Sequence, residues 1–133
     1  MPTAEAEAAE PLADDEICDL LEPFSEQRKI LLAVSGGSDS FGMLAAFARW
    51  RSLDDTAPAI LVASVDHGLR PEAARECARV MDAAARFGLP AAILKWEGEK
   101  PASGLQEAAR EARYRLLADH ARVVDAAAVA TAH

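Results

Sequence analysis

Four short apolar runs alternate along the chain with longer segments in which apolar side chains recur every three or four positions. Lys29-Ile30-Leu31-Leu32-Ala33-Val34 lacks the polar alternation of a half-exposed strand and stops at two glycines, as expected of a strand buried on both faces. Positions 40–51 follow, with Met43, Leu44, Phe47 and Trp50 at helical spacing. A second run, 59–65, stops at Asp66-His67-Gly68; Pro71 suits a first helical turn, and 72–87 reads as a helix closed by Gly88. The third run, 91–96, leads through a Gly/Pro loop to Ser103, whose spacing from Gln106 suggests a capping box. The helix expected over 104–122 aligns Leu105, Ala108, Ala109, Ala112 and Leu116, and a fourth run, 126–130, ends at Thr131-Ala132-His133.

Strand and helix in strict alternation predict parallel strands joined by right-handed crossovers. The expected fold class is therefore α/β, an open, mostly parallel sheet of the doubly wound kind with helices on both faces. In such sheets ligands collect at the carboxyl ends of the strands, where loops and helix amino termini converge. Positions 35–40, 66–70 and His133 share that edge, and a strand followed at once by the last residue suggests a piece of a longer domain.

At 133 residues there is room for one domain. Alanine supplies 31 of the residues, so the larger core groups are chiefly Leu and Val against alanine-lined helix faces. The net charge of −8 is unevenly placed: 1–26 carry nine acids and no base, leaving the rest near neutral at +1. Residues 1–26 are read as an acidic amino-terminal leader with room for one short helix, its first 13 residues frayed, and 27–133 as a partial catalytic domain. The start lacks a secretory pattern, no run has the length of a membrane span, and Cys18 and Cys77 form neither a CxxC nor a zinc pattern. A cytoplasmic location with both thiols reduced is expected.

The informative chemistry lies in Ser35-Gly36-Gly37-Ser38-Asp39-Ser40. Two glycines between a buried strand and a helix let several N–H groups approach one anion at the positive end of the helix dipole, and three hydroxyls add donors. Asp39 is out of place beside a phosphate unless a cation stands between them, and magnesium, bound by one or two carboxylates together with phosphate oxygens, is the expected ion. An ordinary Gly-rich turn with Ser38 or Asp39 as N-cap is the plain alternative.

SGGSDS after a hydrophobic strand resembles the pyrophosphate-binding loop of the N-type ATP pyrophosphatases, or PP-loop superfamily, which cleave ATP between its α and β phosphates. Val65-Asp66-His67-Gly68-Leu69-Arg70, the run from Glu107 through Arg110 and Arg113 to Tyr114, and Thr131-Ala132-His133 are similar to the tRNA(Ile)-lysidine synthetase family. The resemblance covers about 26–133. It implies a ligase using ATP and Mg2+, with tRNA(Ile) bearing a CAU anticodon and free lysine as partners: C2 of the wobble cytidine is adenylated, and the lysine ε-amine displaces AMP. By the same resemblance Ser35, Gly36, Gly37, Ser38, Asp39 and Ser40 hold the ATP phosphates, Asp39 the metal, Val65, Asp66 and His67 lie at the nucleotide, and Asp39, Arg113 and His133 serve the reaction.

Alternatives remain at particular residues. Asp66 and His67 also suit an Asx-type turn with a solvated imidazole. Arg113 lies about 14 Å along its helix from the active edge, at ~1.5 Å per residue. Exposed pairs such as Glu107 with Arg110 and Glu111 with Arg115 account for these charges equally well. His120 is read as a structural group, and Phe47, Trp50 and Phe87 as core. Another PP-loop pyrophosphatase, of the tRNA-thiolating or amidotransferase type, and a nucleotide-binding fragment without catalysis are the competing functions.

Overall fold

The computed structural model describes residues 13–132; His133 and the greater part of the segment read as frayed lie outside the described residues. Helix α1 spans Asp14–Leu21 and leads through a 3-10 turn, Glu22–Phe24, to β1 (Lys29–Ala33), α2 (Ser38–Leu53), β2 (Ala59–Asp66), α3 (Pro71–Arg86), β3 (Ala91–Lys95), α4 (Leu105–Val123) and β4 (Ala128–Thr131). The strands form one parallel sheet in the order β3-β2-β1-β4, with Leu31 opposite both Leu61 and Val129.

The central strand explains the layering. Alternate residues of β1 face opposite sides, so Ile30 and Leu32 join Leu44, Phe47 and Trp50 of α2, Val80 and Ala84 of α3, and Ile17 and Leu21 of α1. Leu31 and Ala33 instead meet Leu117 and Ala121 of α4. Helices thus cover both faces, as the alternating pattern requires. α1 is held to α2 by its two buried side chains and by an ion pair between Asp14 and Arg49.

Three local expectations are corrected. Ser103 and Gln106 form no capping box: α4 starts after Gly104, whose φ of +66° is the left-handed region glycine tolerates, and no side chain caps it. The stripe that α4 buries is Ala112, Leu117 and Ala121, because the helix rotates Leu116 to the flank. Phe87 is exposed, since α3 ends at Arg86 and Gly88, at φ +72°, turns the chain away before the ring reaches the core.

Candidate nucleotide site

The carboxyl ends of β1 and β2 open onto a cleft of about 380 Å³. Ala33, Val34, Ser35 and Gly36 form its β1 side, Ser64, Val65 and His67 its β2 side, Glu76 and Cys77 come from α3, and Gln106, Arg110 and Arg113 from α4. Donors therefore face one another across the space, with Glu76 the one carboxylate among the lining residues.

The turn between β1 and α2 behaves partly as its sequence demands. Gly37 is the N-cap at φ −79° and ψ 158°, no side chain caps the helix, and Phe41 N–H donates the first bond of the helix to Gly37 O at 3.1 Å. The amides of Ser38, Asp39 and Ser40 are consequently the donors every helix start leaves over, and they stand beside the cleft at the positive end of the dipole. Ser35 lines the cleft and also braces the turn. Its hydroxyl lies 3.1 Å from that of Ser40 and accepts from Gly37 N–H at 3.3 Å, while Ser40 is buried. These bonds shape the turn. Gly37, Ser38, Asp39 and Ser40 lie outside the cleft lining, with Asp39 exposed on the first turn of α2.

Gly36 is required for a reason the sequence did not suggest. A Cβ there meets Glu76 Cγ at 2.8 Å and Glu76 Cβ at 3.0 Å, so α3 packs directly on the loop backbone. A Cβ on Gly37 meets only Ser35 Oγ, at 3.6 Å. The two glycines are thus separable: the first admits a helix of the same chain, the second leaves room in front of the turn.

Val65 and His67 line the cleft, whereas Asp66 does not. The Asp66 carboxylate accepts Gly68 N–H at 2.9 Å in an Asx turn, and its carbonyl accepts Trp96 N–H at 3.0 Å. Arg113, left open between the site and an exposed ion pair, reaches the cleft together with Arg110 because α4 lies across β2, β3 and β4 and carries both long side chains over the end of β2. Arg110 and Arg113 sit 5.3 and 5.9 Å from the Tyr114 ring centroid, within cation–π range. Neither Glu107–Arg110 nor Glu111–Arg115 is among the ion pairs of the described residues.

Ser64, Glu76, Cys77 and Gln106 were missed. The helical spacing of Ala73, Cys77, Val80 and Ala84 marks the inward face of α3 and could have pointed to Cys77 and its neighbour Glu76. Burial pushes the Cys77 thiol above its usual 9.0, against a lowering hydrogen bond from Ser64, with Asp66 and Glu76 adding to the rise. The unfolded thiol ionises near pH 9 while the folded one stays neutral, so this group's contribution to stability is complete below pH 9 and lost as the pH climbs through the folded value. Urea unfolding at pH 8 and pH 10.5 is expected to show a larger loss of stability in the wild type than in Cys77→Ala; equal losses contradict the assignment.

No helix among the described residues is long and apolar enough to cross a membrane. Residues 9–133 match the PP-loop domain family. The chain is 46% identical over 133 residues to a tRNA(Ile)-lysidine synthase of Bradyrhizobium sp. (strain BTAi1), covering 100% of this chain and 37% of that protein. Its identity to the tRNA(Ile)-lysidine synthase of Rhodopseudomonas palustris is 53% over 104 residues, or 78% of this chain and 30% of the relative. The chain thus spans about a third of the length of these curated relatives. Among solved structures, the U34-tRNA thiolase NcsA from Methanococcus maripaludis shares the fold with a TM-score of 0.76 at 12% identity, over 90% of this chain and 44% of that one. The strand, the glycine turn and the cleft they frame all lie within the matched segment, and the chain belongs to the PP-loop domain family.

Proposed function

We propose that this chain is the ATP-cleaving part of a cytoplasmic tRNA(Ile)-lysidine synthetase. The observation that carries the reading is one cleft at the sheet edge lined by Ser35 and Gly36, which lead into the uncapped first turn of α2, and by Arg110 and Arg113 from α4. The names of the relatives supply the finer substrate class. ATP lies in the cleft with its phosphates toward the amides of Ser38, Asp39 and Ser40, and its base toward Val65. The C2 oxygen of the wobble cytidine in tRNA(Ile) attacks the α phosphorus, an O–P bond forms, and the α–β bridge breaks to release pyrophosphate. The lysine ε-amine then bonds to C2, loses a proton, and AMP departs with the oxygen. The two guanidiniums hold the negative charge that grows on the α phosphate during the first step. His133 belongs to this proposal as a residue outside the described ones. So does the division into an acidic leader, 1–26, and a pyrophosphatase unit, 27–133, with α1 packed on that unit through Ile17 and Leu21.

Magnesium fits the turn as a companion of ATP rather than as a resident ion. No group of three or more metal-binding side chains occurs among the described residues. Asp39 offers one exposed carboxylate on the same turn as the free amides, which suits an ion that takes one or two carboxylates and fills its shell from phosphate and water. When bound, the ion neutralises phosphate charge. Asp39→Asn is expected to lower affinity for Mg-ATP about tenfold and to leave metal-free ATP binding equal or tighter, because a like charge has gone. Calorimetric titration with and without the metal separates these effects, and an unchanged magnesium dependence removes Asp39 from the role.

The reading as a whole is tested by adding ATP, lysine and tRNA(Ile) to the protein together with the remainder of its polypeptide. Lysine-dependent release of AMP and pyrophosphate is the expected result. Pyrophosphate release that ignores lysine but follows a sulfur donor would instead favour a thiolating enzyme.

A further inference from the structure

The loop after β2 places two consecutive side chains in the same kind of turn but leaves them with different chemistry. Asp66 Oδ1 accepts the amide of Gly68 at 2.9 Å, and His67 Nδ1 accepts the amide of Leu69 at 3.0 Å. The loop is pinned from its far side. Trp96 N–H donates to the Asp66 carbonyl, Lys100 Nζ donates to the Trp96 carbonyl at 2.8 Å, and the same Nζ lies 3.4 Å from where a Gly68 Cβ would stand. Gly68 at φ +72° gives the backbone the bend that brings both amides back. The ring of His67 is thereby fixed in place on the wall of the cleft.

A ring nitrogen that accepts an N–H bond has no proton of its own, and in a neutral imidazole the proton then sits on the other nitrogen. We infer that His67, held by the Leu69 N–H to Nδ1 bond as the neutral Nε2–H tautomer, is a fixed hydrogen-bond donor to a phosphate oxygen of the nucleotide. This rests on the reading of the cleft as the ATP site. It also gives the residue a defined limit: Nδ1 is engaged and Nε2 already carries a proton, so His67 orients the ligand and takes no proton from the attacking group. The other polar walls agree with an anionic oxygen as the acceptor, since Gln106, Arg110 and Arg113 surround the same space and Glu76 is the one acid among the lining residues.

Two substitutions divide the ring between its nitrogens. The carbonyl of Asn reaches the place of Nδ1 and can receive Leu69 N–H, whereas the amide nitrogen of Gln reaches the place of Nε2 and can donate into the cleft. ATP affinity, by calorimetry with magnesium, is expected to fall tenfold or more in His67→Asn and about threefold in His67→Gln, in keeping with the strength of a hydrogen bond to a charged group. Nitrogen-15 imidazole spectra of the wild-type chain, in which the signals lost in His67→Asn identify one ring of three, are expected to show a bare Nδ1 and a protonated Nε2 both free and with ATP.

A proton on Nδ1 in either state, or an Asn variant that binds ATP as tightly as the wild type, overturns the inference. Wild-type binding no tighter for ATP than for adenosine would sink the reading of the cleft as a phosphate site. Phosphate-dependent binding indifferent to His67→Asn would sink the role of His67 alone.

Discussion

Gly37→Val is expected to lose ATP affinity by a hundredfold or more while folding as the wild type does. At φ −79° and ψ 158° the backbone at this position is extended and suits a β-branched residue, and the only neighbour of an added Cβ is Ser35 Oγ at an ordinary 3.6 Å. The added methyl groups stand in front of the amides of Ser38, Asp39 and Ser40. Losing two or three hydrogen bonds to a charged phosphate, at ~1.5–3 kcal/mol each, corresponds to at least about a hundredfold in affinity. Gly36→Val is a poorer probe, because its side chain strikes Glu76 and displaces α3 whether or not a phosphate binds. Circular dichroism and calorimetric titration on Gly37→Val read folding and affinity separately. Wild-type affinity in a folded variant would mean that the amides of the turn are not the phosphate donors.

Trp50→Ala is the substitution expected to cost the most stability. Trp50 is 2% exposed on the inward face of α2, and its ring meets Phe47 edge-on at 6.1 Å, which in turn meets Phe24 at 5.2 Å. Those contacts tie α1, its 3-10 turn and α2 to the Ile30, Leu32 and Val62 side of the sheet. Removing a buried aromatic side chain costs ~3–5 kcal/mol, through lost burial and the cavity left behind. Against a total of ~5–15 kcal/mol for a domain, this is a large share of what keeps the chain folded. Urea unfolding followed by far-ultraviolet circular dichroism should register the loss. A change below ~1 kcal/mol would show that the aromatic cluster collapses around the gap or is not packed as described.

The layering of the fold was readable because β1 has no polar position after Lys29, which leaves only a strand covered on both faces, and because each helix after it carries apolar residues at helical spacing. Helix ends were less readable. Ser103 and Gln106 have the right spacing for a capping box, but spacing says nothing of the left-handed backbone at Gly104 that starts α4 without one. The candidate site divides in the same way. Its β1 turn was visible in two glycines after an apolar run, a local property of the chain. Glu76, Cys77 and Gln106 are brought to the cleft by the packing of α3 and α4, which depends on side chains distant in sequence. For Arg113 the resemblance implied a place in the reaction, while its distance along the helix left an exposed ion pair equally open. The distance along the axis was sound, but the crossing of α4 over the sheet and the reach of an arginine return the guanidinium to the cleft.

The central claim is that one anion site is shared by the uncapped turn of α2 and the two arginines of α4. A crystal structure of the chain with magnesium and an ATP analogue carrying a methylene bridge between the α and β phosphates tests it most directly. Phosphate oxygens hydrogen-bonded to the amides of Ser38, Asp39 and Ser40, with Arg110 or Arg113 on the α phosphate, are the predicted result. An analogue seated away from this edge, or lying in the cleft with those amides bonded to the protein instead, would contradict it.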